Sequence, residues 1–317
     1  MITIIGGNGF IGRNLARRLV KDDHKVAVVD NFVSSDVDLE LTGIVDRFIQ
    51  ADVTWDTQFV NKILPTLKES TEVYYLASIA SPKLYYQKKL ETFKANTVGL
   101  MHVLQTAKEV GFKTLYTSTS EIYGNPDVHP QVETYHGNVN PYSTRAIYDE
   151  SKRMGETLCK AYQDDHNLDI KIARIFNTYG PGMQLYDGRV VVEFIKKALQ
   201  GEDIPIHAPG RQTRSFTYID DLVDGLIKLM GSDVIEPVNL GNPNTEVTMI
   251  ELANLINNTL ETWVNVGIVG QPYDHDPQRR QPDISKAQKL LGWNPTIGLK
   301  EGILKLAAYV KSELKFS

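Results

Sequence analysis

Tyr148 and Lys152 stand four residues apart in Tyr148-Asp149-Glu150-Ser151-Lys152, and Thr117, Ser118, Thr119 and Ser120 form a run of hydroxyls that closes on Glu121. On a helix, residues four apart share a face, so a phenol and an ammonium at this spacing can point into one site. Such a pair can work as an acid/base. A free tyrosine titrates near pH ~10 and a nearby cation favours the phenolate; lowering that value by about three units takes roughly 4 kcal/mol of differential interaction. The same spacing also describes an amphipathic helix with Tyr148 at its buried edge and Lys152 in water. The elements around the pair decide between the two.

The chain opens with Ile2 to Ile5, a β-branched run suited to a strand buried on both faces, followed by Gly6-Gly7-Asn8-Gly9-Phe10-Ile11-Gly12 and a helical pattern through Leu15, Leu19 and Val20. In a strand-turn-helix unit, Gly6, Gly9 and Gly12 let the backbone turn tightly, approach a pyrophosphate and pack the helix on the sheet. A second strand, Val26 to Val29, ends in Asp30, where an acid accepts hydrogen bonds from a ribose; an acid in an ordinary strand-end turn is the alternative. Together these features predict a dinucleotide site, whose charged nicotinamide ring is a second source of the field on Tyr148. No Arg or Lys occurs from Asn31 to Glu40, so a ribose 2′-phosphate lacks an obvious partner there and NAD is expected over NADP.

Arg47 to Gln50 reads as a third strand, with Asp52 and Val53 after it placed either to contact an adenine or to cap a helix. Val73 to Ser78 is a fourth strand running into small residues, a helical stretch spans about Lys88 to Val110, and Lys113 to Tyr116 is a fifth strand. Strands alternating with helices predict an α/β fold, a doubly wound parallel (Rossmann) sheet. Ligands bind at the carboxyl ends of such strands, and the sheet logic brings Thr119, Ser120 and Glu121 beside the glycine turn. Leu168 to Phe176 is a sixth strand, after which Asn177-Thr178-Tyr179-Gly180-Pro181 begins a smaller substrate domain. The expected division is residues 1–176 and 177–317, with segments crossing between them. In the second part, amphipathic helices are expected at Leu226 to Met230, Leu252 to Leu260 and Ile303 to Val310, and a short strand at Val238 to Leu240. Arg189, Arg211, Arg214, Arg279 and Arg280 recur in its loops, where guanidinium forks suit phosphate oxygens or simply face water.

Hydrophobic content of 42% and charged content of 23% are those of a soluble globular chain, and the net charge of −5 offers no general attraction to nucleic acid or anionic membrane. No apolar run reaches the ~18 residues of a membrane span, and the start of the chain lacks the basic and long apolar segments of a signal peptide. The lone Cys159 forms no intrachain disulfide and suits a reducing compartment as a small core residue, so a cytoplasmic protein is expected, with no metal site.

With these motifs assembled, the chain resembles the extended short-chain dehydrogenase/reductase family and, within it, the UDP-glucuronate decarboxylases (UDP-xylose synthases). The resemblance runs over nearly the whole length, through GGNGFIG, VVDNF, YYLASIASP, TSTSEIYG, NVNPYSTRAIYDESKR, ARIFNTYGP, DGRVV, RQTRSFTYIDDLVDGL, VNLGNP and RRQPDISKAQKLLGW. It implies that Gly9, Phe10, Ile11, Asp30, Asn31, Asp52, Val53, Leu76, Ser78, Tyr148, Lys152 and Thr178 contact NAD. It further implies that Lys94, Asn177 and Arg189 hold UDP-glucuronate, that Arg214 and Arg280 meet its diphosphate, and that the protein is a homodimer. Where the family has NPIG, YHLA and GPRM, this chain has Asn140-Pro141-Tyr142-Ser143, Tyr74-Tyr75-Leu76-Ala77 and Gly180-Pro181-Gly182-Met183.

The implied chemistry is oxidation at the sugar's 4-position, loss of CO2 from the resulting β-keto acid and re-reduction, with Tyr148, Lys152, Thr119, Ser120 and Glu121 as the catalytic set. Nucleotide-sugar 4-epimerases and 4,6-dehydratases share the first oxidation. A dehydratase typically carries an Asp-Glu pair where this chain has Ser120-Glu121, and an epimerase an apolar or hydroxylic residue at the Glu position. A non-catalytic dinucleotide sensor is the reading from another class; it needs only the glycine turn and Asp30.

Overall fold

The computed structural model describes residues 1–186, 188–207, 209–270 and 277–315; Asp187 of the DGRVV stretch lies outside them. Two compact units emerge, one of residues 1–122, 140–174 and 226–238 and the other of residues 123–139, 175–225 and 239–317. The chain passes between the units more than once, so neither is a single stretch of sequence.

The first unit is built on β1 (Ile2–Ile5), β2 (Val26–Asp30), β3 (Arg47–Gln50), β4 (Glu72–Tyr75), β5 (Lys113–Thr119) and β6 (Ile170–Ile175), and a seventh strand, β7 (Val238–Leu240), extends the sheet beside β6. The order β7-β6-β5-β4-β1-β2-β3 is doubly wound from β1 outward. β1 and β2 are buried at every position, as their unbroken apolar runs require of parallel strands covered on both faces. Ile5, Val29, Tyr75 and Tyr116 join Leu100, Val103, Leu104, Cys159 and Ile172 in one core cluster. Cys159 is a fully buried free thiol there.

Register fixes the working edge. Ile5 pairs with both Val29 and Tyr75, and Tyr75 pairs with Tyr116, so Gly6, Asp30, Leu76 and Thr117 emerge level at the carboxyl ends. One expectation is corrected here. The fifth strand does not lie beside the first, because β4 pairs with both of them. The fourth strand also stops at Tyr75, three residues early; Leu76 N still donates to Ile5 O at 2.8 Å before the chain leaves the sheet.

The helices that matter for the site are α1 (Phe10–Lys21), α2 (Leu39–Ile44) and α3 (Ala146–His166), the last ended by Asn167 in the left-handed region. The second unit packs Val190–Gln200 against Met249–Leu260 and Leu299–Lys315. Ile219–Met230 starts seven residues before the apolar pattern suggests, with Asp220 and Asp221 in its first turn. Among the described residues, no helix is long and apolar enough to cross a membrane.

Candidate active site

The glycine turn is a cradle defined by backbone contact. Gly6 adopts φ +81°, and a Cβ there would lie 2.6 Å from Ala77 N; a Cβ on Gly12 would lie 2.5 Å from Gly6 O. These are separations that only glycine tolerates. α1 begins immediately, capped by no side chain and with no acid in its first turn, so its N-terminal amides are suited to a pyrophosphate. Asp30 is buried; Oδ2 accepts from Asn8 N at 2.9 Å and Oδ1 from Phe32 N at 2.8 Å. Burial pushes its carboxyl above the usual carboxylate range, against the opposing pull of those two amides and Arg13. A carboxylate offers about four acceptor positions, so both oxygens retain capacity for ribose hydroxyls. Ser78 Oγ is shielded from water and has no hydrogen-bond partner among the described residues. The glycine contacts, the acceptor pair and this hydroxyl fit a dinucleotide.

Asp52 holds the next turn. Its Oδ2 accepts from Asn31 Nδ2 at 2.8 Å, and its Oδ1 accepts from Thr54 N at 2.8 Å and Thr54 Oγ1 at 2.7 Å, an arrangement that closes a turn rather than capping a helix. Val53 beside it is buried. Residues 31–40 carry no cation of their own, but two reach them in space: Arg17 bonds Asp38 at 2.8 Å and Arg13 lies 3.7 Å from the same carboxylate. Both reach over from α1, outside the sequence window.

On α3 the phenol and ammonium share a buried face. Tyr148 stacks on Tyr85 with ring centroids 5.3 Å apart and an interplanar angle of 11°. Lys152 Nζ donates to Thr117 O at 2.8 Å and lies 5.0 Å from the centre of the Tyr116 ring. Burial pulls the Lys152 ammonium down to about 7, with Glu156 and Cys159 opposing. Burial thereby works against the permanently charged lysine that the sequence suggests. Thr119 and Ser120 are buried at the strand end, and Thr119 Oγ1 accepts from Glu121 N at 3.3 Å.

Two arginine–carboxylate groups flank this pair along α3. Before it, the Arg145 guanidinium is paired with Glu121, and Arg145 Nε lies 3.3 Å from Asp149 Oδ2. After it, Glu156 accepts from Ser118 Oγ at 2.5 Å and from Arg174 Nε and Nη2 at 3.0 and 2.8 Å. Sequence reasoning centred on Tyr148 and Lys152 left out Arg145, Asp149, Glu156 and Arg174. A partial signal was present, since Arg145, Asp149, Lys152 and Glu156 recur at helical spacing.

The expected substrate residues fall in two places. Lys94 is exposed on the first unit. In the second unit, Asn177 O accepts from Thr217 N at 2.8 Å, and its neighbour Thr178, expected to contact NAD, donates from Oγ1 to Phe176 O at 2.9 Å. Arg214 and Arg280 are brought together, both buried, through the bond from Ser215 N to Arg280 O at 3.0 Å. Arg214 Nη1 donates to Thr213 O and Pro277 O, each at 2.8 Å, and Arg280 Nη2 to Gly124 O at 3.4 Å. Arg189 stands at the start of Val190–Gln200, half-buried, whereas Arg211 and Arg279 are exposed.

A family model described as the NAD dependent epimerase/dehydratase family matches residues 2–241. UDP-glucuronic acid decarboxylase 1 of Xenopus tropicalis is 44% identical over 316 residues, covering 99% of this chain and 73% of that protein. UDP-glucuronic acid decarboxylase 3 of Arabidopsis thaliana is 46% identical over 306 residues, covering 95% and 86%. Among solved structures, UDP-glucuronic acid 4-epimerase from Bacillus cereus, in complex with UDP-glucuronic acid and NAD, superposes with a TM-score of 0.85 at 26% identity, covering 98% of this chain and 99% of that one.

Proposed function

From the premise that this chain belongs to the NAD dependent epimerase/dehydratase family, we propose that it decarboxylates UDP-glucuronate to UDP-xylose, through a UDP-4-keto intermediate. The observation that carries this reading is identity above 40% to UDP-glucuronic acid decarboxylases over nearly the whole chain. The 4-epimerase likeness shares the fold and the sugar acid in its site, at much lower identity.

NAD is held by Gly6, Gly9, Phe10, Ile11 and Gly12 at the turn, by Asp30 and Asn31 at the ribose, by Asp52, Val53, Leu76 and Ser78 along the edge, and by Tyr148, Lys152 and Thr178. When bound, it supplies reversible hydride acceptance at the sugar's C4. Tyr148 takes the proton of the 4-hydroxyl, assisted by Thr119, with Lys152 donating into the site. The 4-keto group stands β to the carboxylate, so the C5–carboxyl bond breaks with its electron pair delocalised onto the 4-oxygen. Hydroxyl donors from Tyr148 and Thr119 stabilise that enolate. Ser120 lies within this strand end. Glu121, balanced by Arg145, acts after the oxidation, either orienting the glucuronate carboxyl through a water or assisting protonation of C5. Lys94, Asn177 and Arg189 hold the sugar nucleotide, and Arg214 and Arg280 its diphosphate.

A homodimer is supported by the exposed apolar residues Leu90, Phe93, Met101 and Met154 on helices of the first unit. A cytoplasmic location is supported by the free Cys159.

The test is incubation with NAD and UDP-glucuronate and identification of the nucleotide sugar formed. UDP-xylose with release of CO2 is expected; UDP-galacturonate without CO2 would return the chain to the epimerases. In a single turnover, Glu121→Gln should let NADH absorbance rise and persist while CO2 release slows by roughly 10²-fold. Unchanged CO2 release would remove Glu121 from the chemistry.

A further inference from the structure

Arg13 of α1 stands near Asp30, Arg17 lies one turn further along the same helix, and a second acid meets both arginines. Arg13 donates from Nε and Nη2 to Asn8 O at 3.0 and 2.7 Å, and the N–H of that same Asn8 is bonded to Asp30 Oδ2 at 2.9 Å. Asp38 lies 3.7 Å from Arg13 Nη1, and its two oxygens accept from Arg17 Nη2 at 3.0 and 2.8 Å. Its main chain is tied to the same spot, Asp38 N donating to Asn8 Oδ1 at 3.0 Å. Glu40 also meets Arg17, at 3.0 Å, but from an exposed position where such pairs are weak. Burial by itself raises the Asp38 carboxyl, yet the Leu41 N–H and the Arg17 guanidinium outweigh it and hold it below the ordinary carboxylate range.

We propose that Asp38 is a cofactor-specificity residue: by occupying Arg17 and Arg13 it withholds from a ribose 2′-phosphate the two cations that would otherwise bind it. Guanidinium forks match phosphate oxygens; Arg13 is linked to Asp30 through Asn8, and Arg17 is linked to the same Asn8 through Asp38. Asp30 and Asp38 therefore exclude NADP by different means. Asp30 opposes the phosphate with its own charge, whereas Asp38 removes the phosphate's partners. The proposal rests on the ribose lying at Asp30, as argued above. Asp38 is also the N-cap of α2, accepting from Leu41 N at 3.0 Å, and a purely structural cap is the competing role. Asn caps a helix about as well as Asp, so Asp38→Asn separates charge from capping.

The experiment titrates the full chain with NADP and with NAD by calorimetry, in wild type, Asp38→Asn and Asp38→Asn/Arg17→Ala. Asp38→Asn should tighten NADP binding by roughly tenfold and leave NAD within about threefold, and the double variant should lose most of the gain. Asp38→Ser, which also caps, is the second variant should the Asn form fold poorly. Unchanged NADP affinity in the capped variants overturns the proposal. So does a gain that survives Arg17→Ala, because it would come from lost repulsion rather than an uncovered cation. Asp30→Asn separates the premise: if NAD affinity does not respond to it, the ribose placement fails and this proposal with it, whereas the Asp38 outcomes bear on the proposal alone.

Discussion

Between Ile5 and Gly12 the chain is shaped by backbone contact, with Gly6 and Gly12 placed where a Cβ would strike main-chain atoms at 2.6 and 2.5 Å. Between Arg145 and Glu156 the shape is set instead by buried charge, with Lys152 and Asp149 almost removed from water and two arginines holding three carboxylates. Both regions belong to the same sheet edge. The first rests on sterics alone, Gly12 against the main chain of Gly6 and Gly7 and Gly6 against the main chain of Leu76 and Ala77. The second is costly to assemble and has value only if it does chemistry, since burying charge opposes folding unless each group is paired. The difference teaches where to look for stability and where to look for turnover.

The largest effect sharpens that division. Tyr148→Phe keeps the ring stacked on Tyr85 and removes only the phenol oxygen, so the fold and NAD affinity should persist while kcat falls by about 10³-fold or more. Steady-state kinetics with UDP-glucuronate, alongside an NAD titration, measure both quantities. Wild-type-like turnover would break the comparison, leaving α3 as a structural helix only.

Gly12→Ala probes the other region. The new methyl meets Gly6 O and Gly7 Cα, backbone atoms that cannot move aside as a side chain can. A cost of about 1–3 kcal/mol in stability is expected, with weaker NAD binding as the turn opens. Urea denaturation and NAD titration report it. A neutral result would mean that the turn is not shaped by this contact.

The same contrast explains what was legible beforehand. Gly6, Gly12, Asp30, Tyr148 and Lys152 could be read because each motif's meaning lies in local spacing. β1, β3 and β7 were bounded correctly because apolar runs end where the sheet ends. The early end of β4 was not legible, because Leu76 to Ser78 continue the small, apolar pattern after leaving the ladder. Glu121 was legible as an acid near the hydroxyls, but its engagement by Arg145 depends on two segments meeting in space. Arg13 and Arg17 were not legible for the same reason: they come from α1, whereas the residues that follow Asp30 in sequence carry no Arg or Lys as far as Glu40.

The smallest expected effect concerns Lys152, whose role in chemistry and whose burden on folding can be measured apart. Its ammonium is held near 7 by burial, against an ordinary value of 10.5. Below about pH 7 the folded and unfolded chains both carry the proton, and the folded state bears the whole cost of burying it. Between about 7 and 10.5 the unfolded chain still binds the proton while the folded chain releases it, so this group's contribution to stability rises with pH through that window. Lys152→Met removes the titration and, at every pH alike, the hydrogen bond to Thr117 O. The difference in unfolding free energy, variant minus wild type, should therefore shrink from pH 7 to pH 9, by something on the order of 1–2 kcal/mol, with no nucleotide added. Urea titrations at the two values measure it, and other titrating groups largely cancel in the subtraction. A difference independent of pH would mean that Lys152 keeps its ordinary protonation in the fold, and the charge-built region would then be less strained than its burial implies.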